Sequence, residues 1–115
     1  MEIWLIIAIA LVFIIWRMLP AKGTKTISTE ALKGTLNDKD KVFVDVRTPG
    51  EYKARNIRQF KNIPLGSDFS KLPKDKEIVV ICQSGMRSGQ ACKQLKKLGY
   101  DNVTNVRGGM SAWRG

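Results

Sequence analysis

The stretch "EIVVICQSGMRSGQACKQLKKLG" (77–99) places Cys82 at the end of an apolar, β-branched run, ahead of a short glycine-containing loop and a helical pattern. A cysteine acts as a nucleophile only as its thiolate. Gly85 permits the tight curl that turns backbone N–H groups of residues 83 to 87 toward one sulfur, and a helix beginning just after adds its positive end. The candidate loop is Gln83, Ser84, Gly85, Met86 and Arg87, with Arg87 as the cation that clamps it and meets an anionic ligand. The chain has no histidine, which excludes Cys-His and Ser-His catalysis and leaves a nucleophile activated by its surroundings. Cys92, the other of two cysteines, lies mid-helix beside Ala91 and reads as core. Two cysteines so spaced, without histidine, make neither a CxxC pair nor a zinc site, so no metal and no cofactor is expected.

A second group, Asp45, Arg47 and Glu51 in "VDVRTPGEY", follows another apolar run. In a parallel α/β sheet sites form beyond the carboxyl ends of strands, and both groups stand at such ends. These three residues can orient the loop by ion pairing or merely join strand to helix.

The 115 residues carry a net charge of +10. Only Glu2 and Arg17 among the charged residues lie in the first twenty, so the basic excess belongs to the rest of the chain and favours anionic partners. The lysines are scattered as on a solvated face and no nucleic-acid motif accompanies them, so nucleic acid is not an expected partner.

The opening "IWLIIAIALVFIIW" (3–16) is unbroken apolar sequence. A helix from Ile3 to Leu19 would span about 25 Å, the short end of a bilayer crossing. Trp4 and Trp16 stand where interfacial aromatics would, and the run lacks the basic start and small-residue cleavage site of a secretory signal. The reading is a transmembrane anchor over 1–20, a linker over 21–26 and one domain over 27–115. Arg17, Lys22 and Lys25 follow the run, which places a single-pass protein's C-terminal domain in the cytoplasm.

Within the domain the pattern alternates. Ser28 or Thr29 caps a short helix, 41–46 and 77–82 are strands, Pro49 opens a helix, 102–106 is a strand and "GGMSAW" turns into a last helix. Ala91, Leu95 and Leu98 form the apolar stripe of the helix after Cys82, with Gly99 as its stop. Apolar strands interleaved with helices predict a parallel sheet flanked by helices.

"VDVRTPGEY", "NIPLG", "VVICQSGMRSGQACKQLKKLGY" and "VRGGMSAW", in that order, resemble a single-domain rhodanese over about residues 25–114. The resemblance implies an α/β rhodanese-like fold and a sulfurtransferase. Cys82 would attack the outer sulfur of thiosulfate or a persulfide and become a persulfide itself. The acceptor would be a thiol, cyanide or a sulfur-carrier protein, with residues 83–87 holding the donor and the persulfide. The chain departs from many members in reading Arg55 and Asn56 where they have glycine and histidine, and Gln83 where they have arginine. Two alternatives stay open: a cysteine-dependent phosphatase of the same fold and a non-catalytic interaction module. Cysteine phosphatases use C-x5-R, whereas Cys82 to Arg87 is C-x4-R, a tighter cradle suited to one sulfur atom.

Overall fold

The computed structural model describes residues 2–18 and 24–115. The expected α/β sheet is present, with five strands that are all parallel, in the order β1-β5-β4-β2-β3. The strands are β1 (Thr24–Ile27), β2 (Lys41–Asp45), β3 (Lys61–Asn62), β4 (Glu77–Ile81) and β5 (Val103–Val106). The helices are α1 (Glu2–Met18), α2 (Thr29–Lys33), α3 (Pro49–Ala54), α4 (Met86–Lys97) and α5 (Gly109–Ala112).

Period-2 alternation in the central strands divides their side chains between two cores. Val44, Val46, Ile78, Val80, Cys82 and Val103 pack with Ala91, Cys92 and Leu95 of α4, and with Phe69 and Tyr100. On the opposite face Phe43, Val79, Ile81 and Val106 meet Leu32, Ile57, Phe60 and Met110. The central strands are covered on both faces, which is why their sequences run apolar without a break.

Several boundaries differ from the sequence reading. Residues 24–26, expected as linker, belong to β1, an edge strand paired with β5 from Thr24–Val103 to Ile27–Val106. Its lysine and threonines suit a sheet edge, and a strand so polar has no apolar run to announce it. Residues 19–23, which hold the rest of that linker and the end of the expected anchor, lie outside the described residues. Ser28, not Thr29, caps α2, accepting from the Ala31 amide at 3.1 Å. Helix α4 begins at Met86, so Met86 and Arg87 form its first turn and only Gln83 to Gly85 are loop. Leu98, expected in the buried stripe, is 41% exposed as the helix ends there.

The expected transmembrane helix is not supported. Helix α1 has 17 residues, and among the described residues no helix is long and apolar enough to cross a membrane. At 1.5 Å per residue α1 reaches about 25 Å against a hydrocarbon core of about 30 Å. Residues 2–15 are exposed throughout.

Candidate active site

The carboxyl ends of β2 and β4 lie side by side, with Asp45 in register with Ile81, so the two groups singled out in the sequence meet at the carboxyl end of the sheet. Cys82 follows β4 and is buried. Gly85 is the N-cap of α4 at φ 104°, a left-handed conformation that glycine adopts without steric cost. That reversal aims the Gly85 amide back at the Cys82 Sγ, 2.9 Å away. The Ser88 hydroxyl, one turn into α4, lies 3.3 Å from the same sulfur.

Burial is the largest single influence on the Cys82 thiol and raises its pKa. The Ser88 hydroxyl together with the amides of Ser88, Gly85 and Ser84 outweighs it, so the net direction is downward. No such donor reaches Cys92 among the described residues: burial, with a smaller contribution from the Cys82 charge, pushes it up to about 12. The two cysteines thus share a core and differ in the hydrogen bonds that reach them.

Ser88 was not singled out in the sequence, and neither was its partner Asn105. The Ser88 Oγ lies 2.5 Å from Asn105 Oδ1 and 3.1 Å from the Gly85 carbonyl, while Asn105 Nδ2 donates to that carbonyl at 3.3 Å. One hydroxyl proton therefore faces three acceptors, and a charged thiolate is the strongest of them.

The supporting residues form a relay. Asp45 and Arg47 are a fully buried ion pair, with Arg47 Nη2 2.8 Å from Asp45 Oδ2 and Arg47 Nε 3.0 Å from both carboxylate oxygens. The rest of the guanidinium donates to the carbonyls of Glu51 at 3.2 Å and Arg55 at 2.6 Å, which ties down the end of α3. Glu51 and Thr48 form a capping box at the start of α3. Glu51 in turn holds Arg87 through two parallel bonds, Nη1–Oε1 at 2.7 Å and Nη2–Oε2 at 2.8 Å. Arg87 is the main reason the Glu51 carboxyl falls to about 2, with the Thr48 amide second.

The remaining loop positions face outward: Gln83 donates to the Ser111 hydroxyl at 3.1 Å, Ser84 is exposed and Met86 is 77% exposed. The departures at 55 and 56 acquire local explanations. Arg55 donates to the carbonyls of Met110 at 3.1 Å and Trp113 at 2.6 Å, holding α5, and the Asn56 side chain donates to the Tyr52 carbonyl at 2.9 Å. A sulfur ringed by amides and one hydroxyl, with no imidazole in the chain, suits attack by a pre-formed thiolate on a sulfur electrophile.

Residues 28–115 match the rhodanese-like domain. The chain belongs to that family. A sulfurtransferase of Allochromatium vinosum is 41% identical over 91 residues, covering 76% of this chain and 85% of that protein. The protein YtwF of Bacillus subtilis is 45% identical over 95 residues, covering 79% and 91%. Among solved structures, a rhodanese-like domain protein from Staphylococcus aureus superposes with a TM-score of 0.70 at 33% identity, covering 78% of this chain and 91% of that one. This rhodanese-like chain is a sulfurtransferase enzyme.

Proposed function

We propose that Cys82 is the sulfur carrier. Its thiolate attacks the outer sulfur of a small anionic donor, thiosulfate or a persulfide; the S–S bond of the donor breaks and its electron pair leaves on sulfite or a thiolate. Cys82 is then a persulfide, and attack on its outer sulfur by a thiol, cyanide or a carrier-protein thiolate returns the free thiolate. The observation that carries this reading is the convergence of the Gly85 amide and the Ser88 hydroxyl on the Cys82 Sγ. A loop closed on a single atom favours sulfur over a phosphoryl group, whose three oxygens need amides spread around them. Intact-mass spectrometry after donor treatment tests it. Wild type and Cys92→Ser gain one sulfur, about 32 Da, that thiol or cyanide removes. Cys82→Ser gains nothing and loses turnover; full activity in that variant would end the proposal.

The N-terminal helix is proposed to tether the domain, residues 27–115, to the cytoplasmic face of a membrane. The fourteen-residue apolar run and the exposure of residues 2–15 support it. A deficit of about 5 Å against the hydrocarbon core is of a size that local thinning of the bilayer absorbs. Recovery of the full chain in the soluble fraction would overturn the tether, and digestion of the domain by protease added outside intact cells would overturn its orientation.

A further inference from the structure

The charge balance around Cys82 is unusual for a site that receives an anion. Gln83, Ser84, Gly85 and Met86 carry no charge. Arg47 is buried and committed to Asp45. Arg87 is held at both terminal nitrogens by the carboxylate of Glu51. Glu51 is itself immobilised: its Oε1 accepts from the Thr48 amide at 3.0 Å and the Thr48 hydroxyl at 3.1 Å. The donors that point at the sulfur are therefore neutral, and the one cation of the loop and first turn, close enough to feel the Cys82 charge, is paired with a partner that the capping box fixes. Such an arrangement accommodates one negative charge well and gives little to a second.

We propose that Glu51 is a specificity-determining residue: by neutralising Arg87 it sets the site's preference for singly charged over doubly charged sulfane-sulfur donors. This rests on the reading of Cys82 as the sulfur carrier. Two donors isolate the effect because they transfer the same atom by breaking the same kind of bond. From methanethiosulfonate, a monoanion, the Cys82 thiolate takes the terminal sulfur and methanesulfinate leaves with the electron pair. From thiosulfate, a dianion, it takes the same sulfur and sulfite leaves.

The test is Glu51→Gln in the full chain, assayed with both donors. Glutamine is the other residue that completes a capping box, so the start of α3 is retained while the charge is removed. The ratio of kcat/KM for thiosulfate to that for methanethiosulfonate is expected to rise about fivefold to tenfold, carried mainly by a lower KM for thiosulfate. In Glu51→Gln combined with Arg87→Gln the ratio should fall back toward wild type, because the unmasked cation is gone. A purely structural role for Glu51 would move both donors by the same factor. An unchanged or falling ratio in the single variant, or a raised ratio that persists in the double, would overturn the proposal. Cys82→Ser with both donors reports separately on the carrier reading: turnover surviving there removes that reading, whereas Cys82-dependent turnover with an unmoved ratio removes only the role of Glu51.

Discussion

The backbone amide of Met110 donates to the carbonyl of Cys82 at 2.9 Å, so the start of α5 is bonded to the peptide group that leads into the loop. The Ser111 amide does the same to Gln83, also at 2.9 Å. Both loop carbonyls are thereby committed to α5, while the amides of Ser84 and Gly85 are free to serve the sulfur. α5 is itself held from α2 by the Thr29 hydroxyl on the Ala112 carbonyl at 3.2 Å, and from the end of α3 by Arg55.

Gly109 makes that approach possible. It sits at φ 56°, and a Cβ there would stand 2.2 Å from the Cys82 carbonyl oxygen and 2.8 Å from the Gln83 carbonyl carbon, both backbone atoms that cannot swing aside. Gly109→Ala should cost about 2–5 kcal/mol, from the left-handed conformation and the overlap together. In a domain of this size that lowers Tm by about 10 °C or more. Sulfur loading of Cys82 should slow even at temperatures where the variant is folded. Gly50→Ala is the control, since a Cβ there meets nothing within 4 Å. Thermal unfolding and single-turnover loading of the two variants check this, and equal behaviour would remove this role of Gly109.

Ser88→Ala should move the Cys82 thiol toward a higher pKa, because burial still raises it while the hydroxyl that opposes burial is lost. The rate of Cys82 alkylation followed against pH is the measurement. Its midpoint is expected to shift to higher pH, with fold and stability little changed. An unmoved midpoint would mean that the backbone amides alone hold the thiolate.

Cys82 and its loop were legible because cysteine, glycine and helix start are contiguous in the chain. The start of α4 was harder to place: Gly85 caps it through backbone conformation, with no side-chain bond for a sequence pattern to register. Ser88 and Asn105 were missed because each looks ordinary alone, and only the pairing of β4 with β5 brings Asn105 to the loop. From the sequence, "GGMSAW" is a turn into a last helix. Its glycine is in fact demanded by a carbonyl 27 residues earlier, which local spacing does not reveal. The N-terminal helix was legible from its apolar run, and α1 has the seventeen residues expected of it; a run of apolar letters shows only that something apolar covers it, and at that length the helix is short of a bilayer crossing.

The Glu51–Arg87 pair should leave an acid signature. The Glu51 carboxyl lies at about 2 in the folded chain against an ordinary 4.5, and a depressed folded value means stability that is fully present above the ordinary value. It is lost as pH falls from about 4.5 to about 2. Both side chains are about one third exposed, so the contribution is small and salt-sensitive. Urea unfolding from pH 6 to pH 2 should show a shallower decline for Glu51→Gln than for wild type within that window. Parallel curves would place the acid sensitivity elsewhere.

The buried pair of Asp45 and Arg47 allows stability and site geometry to be separated. Asp45→Ala leaves the Arg47 guanidinium buried with only the carbonyls of Glu51 and Arg55 as partners. An uncompensated buried charge costs about 3–5 kcal/mol, a large part of a small domain's total of about 5–15 kcal/mol. Asp45→Leu combined with Arg47→Met removes both charges and keeps the space filled, so urea unfolding should show much of that loss recovered. Activity should not recover with it. Without Arg47 the end of α3 loses two bonds, so α3 and the Arg87 turn joined to it through Glu51 lose their fixed position beside the Cys82 loop, a displacement that Glu51→Gln, with α3 in place, does not cause. The double variant is therefore expected to unfold at a urea concentration well above that of Asp45→Ala while its turnover stays about tenfold or more below wild type. Recovery of turnover in step with stability would show that the pair serves the fold alone and that the relay to Arg87 has no part in the site.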